Sequence, residues 1–150
     1  MKRKILFISA FCIYLAAVFF LCLMKPDDLP QTELMLFGIP ADKVAHFLMF
    51  FPFPVLGYCM MWKKGRRIWL DLLIVASTLI MGTGLAFLTE HLQALTQYRS
   101  SDIKDIYSDL CGMAAGCIPI LMNIIYKIIC LGCVIYFYII FPPPITISPS

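Results

Sequence analysis

Charge is scarce in this chain. Of its 150 residues 14% are charged, against 61% apolar, where a soluble chain of this length carries about 25% and 45–50%. That shortfall excludes a soluble domain, and the long apolar runs exclude disorder. A net charge of +3 is too small to draw the chain to nucleic acid. Reactive motifs are scarce as well. Histidine occurs twice, and there is no H-E-x-x-H, G-x-S-x-G elbow or P-loop. Neither a repeat of solenoid period nor a low-complexity tract is present. Cysteine is not scarce, but all seven lie in apolar segments. Cys130 and Cys133 form a lone C-x-x-C without a second pair or a polar companion, so the cysteines are read as small hydrophobes rather than a disulfide framework.

What remains is apolar sequence in lengths that fit a bilayer. A helix needs about 20 apolar residues to cross. Four runs qualify, at about 5–24, 44–62, 68–90 and 105–126. Each must satisfy its backbone internally, so the fold expected is all-α, a polytopic bundle of four transmembrane helices. The first run lies behind Lys2-Arg3-Lys4, exceeds a signal h-region in length, and lacks a small-x-small end, so a retained anchor is expected. Lys2, Arg3, Lys4, Lys63, Lys64, Arg66 and Arg67 cluster in the N-terminal segment and the second loop. The other two loops combine Lys25, Lys43, Arg99 and Lys104 with Asp27, Asp28, Glu33, Asp42, Glu90, Asp102, Asp105 and Asp109. Basic loops stay cytoplasmic, so both termini are expected inside and the acidic loops outside, in a multi-pass protein of the bacterial cytoplasmic membrane. Residues 1–126 form one membrane domain on this reading. Residues 127–150 are an apolar tail with a proline-rich end, too short to cross alone; with no turn signal after the fourth span, the tail prolongs that helix, lies along the interface or pairs with a neighbour.

The polar residues near the spans fall into a pattern. At 100° per residue, Asp102, Asp105, Asp109, Gly112 and Gly116 occupy an arc of about 80° on the fourth helix. Acids at a helix start complement its dipole, and a G-x-x-x-G below them admits a neighbouring backbone. On the third helix Glu90, Gln93 and Gln97 share a face. On the second, His46 lies one turn from Asp42 and Lys43. Each group has a structural alternative: packing for Gly112 and Gly116, capping for Asp102 or Asp105, an interhelical hydrogen bond for His46. Glu90 and Asp109 approach the hydrocarbon, where an ionisable group marks a function or a specific partner; Arg99 is the expected partner, by bidentate pairing. Pro52 and Pro54 should kink the second helix near Phe50–Phe53.

The order of these residues resembles the VanZ-like family of small bacterial membrane proteins. The resemblance rests on Asp42-Lys43-x-x-His46-Phe47-x-x-Phe50, then Glu90-x-x-Gln93, then Arg99-Ser-Ser-Asp102-x-x-Asp105-x-x-x-Asp109-x-x-Gly112-x-x-x-Gly116, over about residues 40–120. Asp109 stands where many members carry Asn, which adds a carboxylate. The family's name-giving member is associated with low-level resistance to the glycopeptide teicoplanin, so the resemblance implies a cell-envelope protein.

Two functions of different class follow. One is an outward polar cleft of Asp42, Lys43, His46, Glu90, Gln93, Arg99, Asp102, Asp105 and Asp109 that binds an envelope lipid, a lipid-linked wall precursor or a glycopeptide, without a cofactor. The other is a small membrane hydrolase or transferase with His46 or Glu90 as base and Arg99 stabilising negative charge. In a variant of the second, His46, Glu90, Asp105 and Asp109 ligate a divalent metal. Transport would need an oligomer assembled through the glycine face.

Overall fold

The computed structural model describes residues 2–24, 35–36, 38–96 and 102–141. Among them the chain is almost entirely helical: α1 (Lys2–Leu23), α2 (Ala41–Phe50), α3 (Pro52–Met60), α4 (Ile68–Leu95) and α5 (Ile103–Ile140). A two-stranded hairpin, β1 (Met35–Leu36) with β2 (Ile39–Pro40), precedes α2. It turns at Gly38, whose φ of +79° needs a residue without Cβ. Four stretches are long and apolar enough to cross a membrane, namely Lys4–Leu23, Ala41–Met60, Ile68–Leu95 and Ile103–Phe137. The chain is therefore a polytopic all-α membrane protein, as its apolar runs predict.

The second span is divided where its prolines demand. Pro52 and Pro54 have no N–H, so the carbonyls of Leu48 and Phe50 lose their helical donors. The regular ladder stops at Phe50 and resumes at Pro52, while Phe51 keeps helical dihedrals (φ −56°, ψ −43°). α5 carries the fourth span on into the tail, one of the courses its sequence leaves open. It runs 38 residues through Pro119 and on through the tail, about 57 Å at 1.5 Å per residue. No turn residue separates position 126 from 127, and the helix continues.

The helices bury a thin core. Val18, Cys22, Phe50, Phe53, Ala86 and Met113 fill one half, and Tyr58, Ile74, Val75, Cys117, Ile120 and Ile124 the other. Outward faces carry exposed Ile, Leu and Phe, as lipid solvation allows. The closest approach is between α5 and the second span. A Cβ on Gly112 would strike the carbonyl oxygen of Phe47, and one on Gly116 that of Phe51. The glycine face therefore serves packing within the chain. It locks the start of α5 beside the start of α2, and this contact positions the site.

Candidate functional site

With the backbones of α2 and α5 in contact at the glycines, the side chains one and two turns above must meet. Lys43 reaches from α2 to the α5 carboxylates. Its Nζ donates to Asp102 Oδ2 at 2.8 Å and to Asp105 Oδ1, and lies 3.8 Å from Asp42 Oδ2. Below it, His46 is 2% exposed. Its Nδ1 is 3.0 Å from Asp109 Oδ1, and its Nε2 is 3.7 Å from Asp105 Oδ2. An ionised carboxylate only accepts, so Nδ1 carries the proton in the first contact. The second contact exceeds hydrogen-bonding distance. Asp109 is fully buried, and its Oδ2 has no hydrogen-bond partner among the described residues.

Asp102 caps α5. Its side chain accepts from the Lys104 backbone N–H at 3.0 Å, satisfying one of the helix's open donors. The hydrogen bond from Lys43, reinforced by that backbone N–H, holds the Asp102 carboxyl below the usual carboxylate range. Glu90 serves the same helix end from α4, accepting the Asp102 backbone N–H at 2.6 Å. Gln93 turns the other way and donates to the Cys22 carbonyl at 3.0 Å, tying α4 to α1. Arg99 and Gln97 lie outside the described residues. The polar candidates thus separate into an α2–α5 cluster (Asp42, Lys43, His46, Asp102, Asp105 and Asp109) and two backbone ties, Glu90 and Gln93.

Among the described residues, Asp42, His46 and Asp105 can each aim one ligand atom so that all three lie within 4.8 Å of one another. Glu90 and Asp109 are not in that set. Beside the cluster, on the α2–α5 seam, is a groove of about 400 Å³ lined by Ile39, Val44, Phe47, Tyr107, Ser108 and Cys111, with Lys43 at its polar edge.

The opposite end of the bundle holds a charge cluster that spacing did not single out. Asp71, fully buried, accepts from Arg66 Nε at 2.5 Å and Lys127 Nζ at 2.7 Å. Arg66 also donates to the Met61 carbonyl and stacks over the Tyr58 ring, 5.0 Å from its centroid. The available signal was Asp71 itself, an acid inside an apolar run, flagged by the same rule that marked Glu90.

A family model described as VanZ/LLP1 matches residues 3–130 of the chain. That range takes in α1 and most of α5 as well as the motifs of residues 40–120. No curated protein and no solved structure matches.

Proposed function

The chain belongs to the VanZ/LLP1 family, and from that footing we propose that it is a cell-envelope protein of the bacterial cytoplasmic membrane that binds an amphiphile, an envelope lipid or a lipid-linked wall precursor. The observation that carries this reading is the groove between α2 and α5. Its walls are apolar and its polar edge is Lys43, an arrangement suited to an acyl chain held beneath a headgroup. An ammonium has three N–H donors; among the described residues Asp102 and Asp105 engage two, which leaves one for a headgroup phosphate or carboxylate. Asp42 and Asp102, each about half exposed, suit a cationic part of the same headgroup. A headgroup bearing both signs therefore fits the local acid excess better than a purely anionic one. A part in glycopeptide (teicoplanin) resistance would follow if the amphiphile is a wall precursor.

A second reading, a membrane hydrolase or transferase, is favoured by one observation. His46 is buried and oriented through Nδ1 by Asp109, as a carboxylate orients a general base.

Native mass spectrometry of gently extracted full-length protein tests the binding reading. We expect one amphiphile to be retained by the wild type and lost from Val44→Trp, which fills the groove without touching the charged cluster, while helical content is unchanged. A wild type that carries no amphiphile, or a Val44→Trp protein that carries the same one, overturns it.

A further inference from the structure

We propose that Asp42, His46 and Asp105 form a binding site for a single divalent transition-metal ion. The placement of His46 is the starting point. Its Nδ1–H is committed to Asp109, so the Nε2 lone pair faces Asp105 Oδ2 across 3.7 Å. Two acceptors pointed at one another in a buried site repel unless a cation, either a proton on Nε2 or a metal ion, lies between them. At 3.7 Å the pair is within ion-pair reach but beyond a hydrogen bond. The separation itself matches ligation. Two ligand atoms about 2.0–2.2 Å from one ion lie ~3.4–3.8 Å apart at tetrahedral to trigonal angles.

Charge and chemistry agree with that spacing. Among the described residues Lys43 is the ammonium that meets Asp102 and Asp105, with Asp109 buried behind His46, and a divalent ion would offset the two carboxylate charges that one ammonium leaves among those three. Lys43 takes Oδ1 of Asp105 and leaves Oδ2 on the His46 side. One imidazole with two carboxylates suits Zn²⁺, Mn²⁺, Fe²⁺ or Co²⁺ rather than a soft ion. Asp109 then has a definite task. A carboxylate on the far nitrogen of a ligating histidine fixes its tautomer and raises its basicity. Asp42, the one exposed member, leaves the ion a route in from the bundle end. The ion would adjoin the groove but does not depend on an amphiphile being in it.

Cobalt titration of the chelator-stripped full-length chain, in a neutral detergent and followed by visible absorption, tests the site. We expect saturation at one equivalent, with a spectrum of nitrogen and oxygen ligands. Affinity should fall at least tenfold in Asp42→Asn, which keeps the side chain's size and an oxygen but removes its charge, and in His46→Gln, with helical content unchanged in both. Asp109→Asn should keep one equivalent and lose about 10–100-fold in affinity. His91→Gln, on the surface, should titrate like the wild type. The site is overturned by a folded wild type without saturable binding, by a thiolate charge-transfer spectrum that assigns the ion to cysteines, or by binding that Asp42→Asn and His46→Gln leave unchanged. Because the readout is cobalt and not lipid, its failure and that of amphiphile binding are separate results.

Discussion

The two ends of this bundle use charge in opposite ways. At the basic-loop end one buried acid, Asp71, is matched by two cations, Arg66 and Lys127, each within hydrogen-bonding distance. At the acidic end, among the described residues, Asp42, Asp102, Asp105 and Asp109 gather around Lys43 and His46. Asp109 Oδ2 is left without a hydrogen bond among the described residues, and His46 Nε2 stands 3.7 Å from Asp105 Oδ2. A cluster in which every carboxylate oxygen is engaged is a staple. A cluster that buries acceptors facing each other is incomplete, and low dielectric makes an unmet buried group expensive. The basic end is not fully satisfied either, since Arg66 Nη2 and the Tyr58 hydroxyl are buried without hydrogen bonds among the described residues; what separates the ends is that its carboxylate, Asp71, has two cations, whereas the acidic end holds carboxylates in excess.

Substitutions at the two ends should therefore differ in kind. Asp71→Leu leaves Arg66 and Lys127 without their shared anion, and removing one partner of a buried pair typically costs about 3–5 kcal/mol. Thermal unfolding in detergent should show the largest loss of stability here, with no relief from added cobalt or manganese. Lys43→Met removes the ammonium that Asp105 meets among the described residues, at a cost of about 2 kcal/mol for its charge-assisted hydrogen bonds. Here added divalent metal should restore part of the lost Tm, because a ligand bound only by the folded state stabilises it by mass action. If metal rescues neither variant or both alike, the two ends are alike and the contrast drawn above is wrong.

Much of this organisation is legible in the sequence because it is periodic. Twenty-residue apolar runs mark the spans, and a 100° step places Asp102, Asp105 and Asp109 above Gly112 and Gly116 before any partner helix is known. The same step cannot say what a face looks at. The pairing of Glu90 with Arg99 lies outside the described residues, but Glu90 Oε1 also takes the Asp102 backbone N–H, a contact no pattern announces. Backbone donors are identical along a chain and leave no mark in its spelling. Gln93 meets a carbonyl 71 residues away, and Asp71 meets Lys127 across 56. Both depend on how whole helices are rotated against one another. The metal grouping changed for that reason: one face of α5 offers both Asp105 and Asp109, and only the position of His46 decides that the first points at Nε2 and the second lies behind the ring.

The smallest effect expected is also the most selective, because it isolates charge at the acidic end from geometry. Asp102→Asn keeps an oxygen for the Lys104 N–H, since Asn caps as well as Asp, but it removes the anion that Lys43 holds at 2.8 Å. That hydrogen bond lowers the Asp102 pKa in the folded protein. A depressed folded value means the contribution is fully present above the unfolded value of about 3.9 and is lost as pH falls through the folded one. In wild type, Tm should therefore carry an extra decline on acidification below about pH 4, and the Asn variant should lack it. At neutral pH the two should differ only slightly, because Asp102 is exposed and solvent screens the pair. Melting curves of the two proteins from pH 6 to pH 3 read this directly as the difference between them. A difference that stays flat with pH would mean that Lys43 is held by Asp105 alone. The acidic end would then be left with an even larger uncompensated share of its charge.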